Sequence, residues 1–270
     1  MRTLIIGASG YLGGEVARLA SGSGDEVLGT ATTDTGGWSS LDITDREAVR
    51  TLVSRVRPGL VVNAASRGDS WKACADGAAH VALAAVEVGA RLVHVSSDAL
   101  HAGRAAPYPD DATPAPIYPY GAAKAAAETA VAAIDPAAVL VRTSLIVGDE
   151  RSKHVRLALD LISGRARGAL FTDEIRCPIA VTDLAAAILE LASQSYAGLI
   201  NVAGPQAVSR AELGRLVAAR HGLDPAAVAV CTIAEGGLGV RPGDVRLDSS
   251  RASGLLKTRL RGVDEALAAG

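Results

Sequence analysis

The stretch that decides the fold is residues 3–13, TLIIGASGYLG. A short apolar run at residues 4–6 leads directly into Gly7, Gly10 and Gly13, and a segment of helical pattern follows. Glycine lets the chain turn sharply, lets backbone N–H groups approach a pyrophosphate, and lets the helix pack closely on the strand. The stretch therefore predicts a strand, a phosphate-binding turn and a helix. The alternative is a tight turn that binds no ligand.

The glycine turn and later loops supply the residues predicted to hold a dinucleotide. Asp42 is predicted to accept a hydrogen bond from an adenine amino group, with Ile43 against the ring. The alternative is a helix start with Thr44 or Asp45 as its cap. The full predicted set is Gly7, Ser9, Gly10, Tyr11, Leu12, Gly13, Asp42, Ile43, Asn63, Ala64, Ala65, Tyr120, Lys124 and Thr143.

The end of the second predicted strand bears on which dinucleotide fits. Residues 30–33 read TATT. They contain neither the acid that often holds the ribose hydroxyls of NAD nor an arginine for a 2′-phosphate. The sequence therefore predicts NADP or NAD, with a slight preference for NADPH.

Short apolar runs alternate along the chain with Ala-rich segments of helical period. The predicted strands are residues 4–6, 26–28, 60–62, 92–95, 139–141 and 199–202. This alternation predicts an α/β fold of Rossmann type, a doubly wound parallel sheet with its ligand site at the carboxyl ends of the strands.

The alternation weakens after Gly148, which predicts a second, smaller unit. We assign residues 1–148 and about 178–202 to the nucleotide-binding domain. Residues from about 149 to 177 and from 203 to 270 form a small substrate-binding lobe. The loop at residues 102–119 contains five prolines, so it cannot be a helix, and it is predicted to border the active site.

The pair Tyr120 and Lys124 opens an Ala-rich helical segment that runs to about Ala133. The spacing i, i+4 puts both side chains on one helix face. A ketone that is reduced by hydride needs a proton donor, and a nearby cation can bring a phenol toward the working pH. The spacing therefore predicts a catalytic pair, and the helical geometry favours Tyr120 over Tyr118.

The sequence Ser96-Ser97-Asp98 ends a predicted strand, where a hydroxyl group can reach a substrate carbonyl. We assign that role to Ser97, although two serines at the end of a strand are also typical of a turn or a cap. His94 lies within the strand pattern and is predicted to be a core histidine.

Composition sets the broad class. A net charge of −2 gives no electrostatic footprint for nucleic acid or a membrane surface. No apolar run is long enough to cross a bilayer, and nothing resembles a signal peptide. The three cysteines suggest neither disulfides nor a metal site. We expect a cytoplasmic protein with a small-molecule carbonyl substrate; a homodimer is one assembly that it could form.

These motifs together resemble the extended short-chain dehydrogenases/reductases, and within them the dTDP-4-dehydrorhamnose reductase-like, sugar-nucleotide-binding group. The resemblance rests on residues 7–13, 42–43, 63–65, 89–98, 120–124, 142–148 and 171–184. It implies that Ser97, Tyr120 and Lys124 form the catalytic set, that Lys124 also holds the nicotinamide ribose, and that the segment after Gly148 helps to bind substrate.

The resemblance implies NAD(P)H-dependent reduction of a ketone, either a 4-keto nucleotide sugar or a secondary-metabolite intermediate. The alternatives are an NAD-retaining nucleotide-sugar epimerase or dehydratase, and a non-catalytic NAD(P)-binding regulatory subunit. The chain departs from the family pattern where Ser97 replaces threonine, Ala99 replaces an aromatic residue, Leu145 replaces tryptophan, and Cys74 aligns with a relay asparagine.

Further residues are predicted to contact the substrate. The set is Asp98, His101, Leu145, Arg176 and Arg241. For Arg176 the alternative is a surface salt bridge with Asp173 or Glu174, and Arg241 is similarly ambiguous. His101 lies just past Asp98 in the predicted active-site loop.

Overall fold

A computed structural model describes residues 1–33, 37–104 and 107–268. Positions 105 and 106 of the predicted proline-rich loop lie outside the described residues. The strands are β1 (Arg2–Ile6), β2 (Glu26–Ala31), β3 (Ser39–Ser40), β4 (Leu60–Asn63), β5 (Arg91–Val95), β6 (Val139–Arg142), β7 (Ile146–Val147), β8 (Leu170–Phe171), β9 (Ile175–Arg176), β10 (Ile179–Ala180), β11 (Gly198–Asn201), β12 (Val208–Ser209) and β13 (Val230–Cys231). The helices are α1 (Tyr11–Gly22), α2 (Arg46–Val56), α3 (Gly77–Val88), α4 (Pro119–Ile134), α5 (Lys153–Ile162), α6 (Val181–Ser193), α7 (Arg210–Arg220), α8 (Ile233–Gly236), α9 (Ser250–Leu255) and α10 (Val263–Ala268).

Seven parallel strands form the central sheet, in the order β11-β6-β5-β4-β1-β2-β3. The predicted Rossmann-type fold is confirmed, and all six predicted strands lie in this sheet. The sequence analysis missed β3, because two exposed serines carry no hydrophobic pattern. The carboxyl ends of the parallel strands meet at one edge, where the site is expected.

The apolar strands are buried on both faces, as a parallel sheet requires. In β1, Ile5 packs into the core under α1 and α6, whereas Leu4 and Ile6 pack into the core under α2, α3 and α4. This alternation follows from the two-residue period of a strand. The two cores hold the sheet rigid between its helix layers.

A buried ion pair fastens the proline-rich loop and α4 to the sheet. Arg142, at the end of β6, is fully buried, and its Nη2 atom lies 2.7 Å from Oε2 of Glu128 on α4. The Nη1 atom of Arg142 donates to the carbonyl oxygens of Asp110, at 3.0 Å, and Ala112, at 2.8 Å. Ser96 adds a hydrogen bond of 2.5 Å to Glu128. Arg142 thus fixes the loop and the helix that border the site.

The lobe has a separate hydrophobic core, to which α5, α7 and α10 contribute. Two two-stranded pairs, β9 with β12 and β8 with β13, link its segments, whereas a third pair, β7 with β10, lies within the residues predicted for the nucleotide-binding domain. The predicted boundaries remain a prediction, and one segment crosses them: Ala252, Leu256 and Leu260 pack into the core of the main sheet. Within the described ranges, the structure contains no helix long and apolar enough to span a membrane.

Candidate active site

The glycine turn has the geometry of an anion-binding turn. Gly7 has a φ of +86°, and a Cβ there would lie 2.9 Å from the backbone of Ala65. A Cβ at Gly13 would collide with the carbonyl oxygen of Gly7. The N-cap of α1 is Gly10, which has no side chain that could accept a hydrogen bond from the first backbone N–H groups of the helix. The first turn of α1, all of whose residues the structure describes, contains no acidic residue. The first N–H groups of α1 are therefore open to a phosphate.

A groove of about 140 Å³ adjoins the turn. It is lined by Ile6, Gly7, Ser9, Gly10, Thr30, Ala31, Thr32, Leu41, Ile43, Ala64, Ala65 and Ser66. Six of the predicted cofactor residues therefore meet in one place, namely Gly7, Ser9, Gly10, Ile43, Ala64 and Ala65. Ala64, Ala65 and Ser66 also line a larger cleft, so that the groove leads into it.

The side chains of Asp42 and Asn63 shape loops and do not line this groove. Asp42 accepts a hydrogen bond of 2.9 Å from the backbone N–H of Thr44, while Asp45 caps α2 by accepting one of 3.0 Å from Ala48. The helix-start alternative is therefore what the structure shows around Asp42. Asn63 is buried, and its Oδ1 atom accepts from the N–H of Ala65 at 3.2 Å.

The larger cleft, about 410 Å³, contains the predicted catalytic residues at the carboxyl ends of β5 and β6. Its lining includes Tyr11, Leu12, Ser97, Tyr120, Lys124, Thr143 and Leu145. Gly121 explains how α4 comes so close, because a Cβ at this position would collide with the carbonyl oxygen of Ala99. This approach brings Tyr120 beside Ser97. The structure thus unites the catalytic set predicted from sequence.

Ser97 takes the capping role that the sequence left open, and it also lines the cleft. Its Oγ atom accepts a hydrogen bond of 3.2 Å from Ala99 N–H and so caps a short 3₁₀ turn, Asp98–Leu100. Ser97 and Ser66 also lie near the phenol of Tyr120, and both oppose the rise in its pKa. Ser66 was missed by the sequence analysis because one serine in a loop gives no signal.

The electrostatics of the pair differ from the expectation. Burial raises the pKa of Tyr120, whereas Lys124 was expected to lower it. Lys124 donates its hydrogen bond to the carbonyl oxygen of Val95, at 2.6 Å, and not to the phenol. Burial lowers the pKa of Lys124 to about 8, and Cys74 and Glu128 oppose that shift. At neutral pH the tyrosine is protonated and able to donate.

Cys74 lies next to this pair. It is buried in a π-helical turn, Lys72–Asp76, and packs against the start of α4. Its Sγ atom is 3.7 Å from the Oγ atom of Ser66. Cys74 therefore contacts one of the two serine hydroxyl groups near Tyr120.

Two predicted substrate contacts lie away from the cleft. His101 is fully buried, and its ring stacks on Tyr108 with the centroids 4.0 Å apart. Burial, aided by Arg142 and Arg104, lowers its pKa to about 4. Asp98 is buried behind Ser97, where Ser144 donates to it at 2.7 Å. Neither residue lines the cleft. Their contacts with Ser144 and Tyr108 instead hold the loop behind the site.

The lobe contributes a cationic wall to the cleft. Arg176 and Arg241, both predicted, line it together with Lys153, His154, Glu174 and Arg210, which the sequence analysis did not predict as contacts. The predicted alternative for Arg176 was a salt bridge at the surface. Arg176 is only 4% exposed, so the predicted surface position is wrong. Its ion pairs are buried, to Glu174 at 3.5 Å and to Asp98 at 3.6 Å.

The glycine turn is also connected to the lobe. The hydroxyl oxygen of Tyr11, the first residue of α1, accepts a hydrogen bond of 3.2 Å from the backbone N–H of Asp149. Gly148, just before, has a φ of +153°, and a Cβ there would press on this hydroxyl at 2.5 Å. The loop that begins the lobe therefore rests on the start of the phosphate-binding helix.

Comparison with known proteins gives a consistent result. The family model described as RmlD substrate binding domain matches residues 1–269. The chain is 33% identical over 243 residues to dTDP-4-dehydrorhamnose reductase of Mycobacterium tuberculosis, covering 83% of this chain and 77% of that protein. It is 31% identical over 239 residues to dTDP-4-keto-6-deoxy-D-glucose reductase of Streptomyces niveus, covering 84% and 81%.

Solved structures agree over almost the whole length. A hypothetical dTDP-4-dehydrorhamnose reductase from Sulfolobus tokodaii superposes with a TM-score of 0.87 at 31% identity, covering 99% of each chain. The dTDP-4-dehydrorhamnose reductase of Bacillus anthracis, solved in complex with NADP, gives a TM-score of 0.86 at 26% identity, covering 98% of this chain and 96% of that one.

Proposed function

The chain belongs to the family described as RmlD substrate binding domain, and on that basis we propose that it is an NAD(P)H-dependent reductase of a nucleotide-sugar ketone. The observation that carries the proposal is the position of Tyr120. It lies in one cleft with Ser97 and Lys124, and that cleft continues into the groove beside the glycine turn. The relatives from Mycobacterium tuberculosis and Streptomyces niveus, whose names give dTDP-linked keto sugars as substrates, support the substrate class.

The residues at the turn fit a dinucleotide diphosphate. The glycines leave a space that Cβ atoms would fill, and the open N–H groups of α1 suit a phosphate. Thr143 supports a polar ligand further in, because its buried hydroxyl has no hydrogen-bond partner among the described residues. Gly7, Gly10, Gly13, Ala64 and Ala65 would hold the cofactor together with the other residues predicted for this role.

The bound cofactor would supply the hydride. Tyr120 would then donate a proton to the oxygen of the reduced carbonyl, a role that suits a phenol protonated at neutral pH. Ser97 would donate a hydrogen bond to the same oxygen and hold the substrate against Tyr120. Lys124 would place a positive charge beside the phenol. Its ammonium has three N–H donors, and those that are not bonded to the carbonyl oxygen of Val95 would hold the nicotinamide ribose.

We propose NADPH as the preferred cofactor. Thr32, at the end of β2, lines the groove with a hydroxyl group instead of a carboxylate, and this suits a 2′-phosphate. The complex of the Bacillus anthracis relative with NADP supports the same choice. A ratio of kcat/KM for NADPH over NADH above 1 is the expected result, and a ratio below 1 would reverse the choice.

The test of the function is turnover. Oxidation of NADPH should be measured with dTDP-4-dehydrorhamnose, dTDP-4-keto-6-deoxyglucose and simple ketones. Tyr120→Phe should lose about 100-fold to 10,000-fold in kcat, the range for general acid catalysis, while it still binds NADPH. Normal turnover in this variant would overturn the catalytic assignment. A cofactor that copurifies and is never consumed would favour an epimerase or dehydratase.

Two further proposals concern the state of the protein. The cysteines Cys74, Cys177 and Cys231 are free, and the first two are buried. Free thiols support the predicted reducing cytoplasm. The homodimer stays a prediction, which light scattering of the purified protein would test.

A further inference from the structure

The lobe wall is organised around one buried carboxylate. Glu174 is 1% exposed, and it accepts hydrogen bonds from Arg210 Nε to Oε1 at 2.9 Å and from Arg241 Nε to Oε2 at 2.7 Å. Arg241 Nη2 adds a contact of 3.2 Å to Oε1. Both carboxylate oxygens are therefore occupied by arginines, and Glu174 is not available as an acceptor for a substrate.

Arg176 is likewise occupied by the protein. Its Nη1 atom donates to the carbonyl oxygens of Ile175, at 2.7 Å, and Gly243, at 2.8 Å. Its Nη2 atom donates to the carbonyl oxygen of Pro242 at 2.9 Å. Arg176 thus ties β9 to the loop after α8, and its guanidinium is not the group that the wall offers to a ligand.

His154 has a tautomer fixed by its neighbour. The Nδ1 atom of His154 lies 2.9 Å from Nη1 of Arg210. A guanidinium has donors only, so Nδ1 must accept and the ring proton must be on Nε2. Burial lowers the pKa of His154 well below its ordinary value, and the positive charges of Arg210 and Lys153 act in the same direction. The ring is neutral, with one defined donor.

That donor is available in the cleft. Among the described residues, His154 Nε2 has no hydrogen-bond acceptor. The atom is not fully buried, so a ligand can reach it. The same is true of Arg210 Nη2 and Arg241 Nη1. Since all three residues line the cleft, this wall presents hydrogen-bond donors to whatever binds there.

We propose that His154 is a specificity-determining residue whose Nε2–H donates a hydrogen bond to an anionic oxygen of the substrate, in the same cleft as the unused donors of Arg210 and Arg241. A wall of donors with its one carboxylate occupied selects a ligand rich in acceptors. A nucleoside diphosphate carries such oxygens. The inference rests on the proposed function for the identity of the substrate, and on the wall alone for the role of the histidine.

The tautomer can be measured without any turnover. The full-length protein, labelled with ¹⁵N at its five histidines, should be examined at pH 7 by long-range ¹⁵N–¹H correlation, with His154→Asn to assign the signal. We expect the neutral form of His154 with its proton on Nε2, and a mixture of tautomers in Arg210→Met. A proton on Nδ1, or a doubly protonated ring, would overturn the proposal.

Ligand contact is tested on the same sample. With NADP saturating, so that the glycine turn is filled, addition of dTDP should shift the Nε2 signal of His154 but not that of His221, an exposed residue at the end of α7. An unmoved His154 signal at saturating dTDP would overturn the contact. Because this readout needs no reduction, it separates a failure of the inference from a failure of the proposed function.

Kinetics give the second readout. The amide nitrogen of glutamine can take the position of Nε2, whereas the shorter asparagine cannot reach it. His154→Asn should raise KM for the nucleotide-sugar ketone about tenfold with kcat within about twofold, the effect of losing one hydrogen bond to a charged group. His154→Gln should recover most of the loss, and His221→Asn should match the unmodified protein. An unchanged KM in His154→Asn would contradict the contact.

Discussion

Lys124 donates a hydrogen bond of 2.6 Å from Nζ to the carbonyl oxygen of Val95, near the carboxyl end of β5. The lysine is only 2% exposed, so its head group is held by the sheet and not by solvent. This bond anchors the charge at a fixed place beneath α4.

The pH dependence of the reaction should follow Lys124. Burial lowers its pKa to about 8, so the ammonium is present below pH 8 and is lost as the pH rises above it. Because Tyr120 has a raised pKa, the phenol stays protonated over this range. We expect kcat/KM to be level below pH 8 and to fall about tenfold per pH unit above it.

Lys124→Arg provides the control for this assignment. A guanidinium does not deprotonate in this range, so any remaining activity of the variant should lose the alkaline decline near pH 8. If the decline persists unchanged in Lys124→Arg, another group is responsible. A steady-state pH series on both proteins decides the point.

Ser97→Ala should reduce kcat about 10-fold to 100-fold, because it removes the serine hydroxyl that would bond to the substrate carbonyl oxygen and that lies near the Tyr120 phenol. Ser97→Thr should keep most of the activity. The backbone at Ser97 is extended, with φ −150° and ψ 153°, and this conformation accepts a β-branched residue. The measurement is single-turnover oxidation of NADPH. Equal losses in both variants would mean that the serine acts by packing alone.

Gly13→Ala should abolish cofactor binding and lower the free energy of unfolding by more than about 2 kcal/mol, because a Cβ there collides with the carbonyl oxygen of Gly7. The matched control is Gly22→Ala at the other end of α1, where nothing lies within 4 Å of a Cβ. That variant should bind NADPH normally. Urea unfolding and NADPH fluorescence titration test both, and normal binding by Gly13→Ala would refute the close contact.

Glu128→Gln should destabilise the protein by about 3–5 kcal/mol, the cost of leaving the fully buried Arg142 without its charged partner. Glu47→Gln removes an exposed carboxylate that pairs with Arg50 and should leave unfolding nearly unchanged. Guanidinium unfolding of the two variants makes the comparison. A small effect at Glu128 would show that the pair does not fasten α4 and the loop.

The fold and the catalytic set could be predicted because their signals are local. The strands and the glycine turn are contiguous patterns, and Tyr120 and Lys124 meet through a helical period of four residues. The lobe wall has no such pattern. Glu174 meets Arg210 across 36 positions and Arg241 across 67, and only tertiary packing determines these meetings.

His101 shows the converse limit. Its place in the sequence, three residues after Asp98, suggested an open position in the active-site loop. In the structure Tyr108 instead stacks on the ring and covers it. Burial is a property of the whole chain, and a single polar residue in a proline-rich segment gives no indication of which side faces the cleft.

The hydrogen bond from Asp149 to Tyr11 connects the start of α1 with the entry to the lobe. A lobe that swung away as a rigid body would have to break this bond and draw the peptide of Gly148 off the tyrosine ring. Opening is therefore coupled to the same helix terminus that receives the phosphate. We expect the cofactor to bind first and leave last, because the phosphate that it carries and the loop at the entry to the lobe share one helix terminus; product-inhibition patterns test this order.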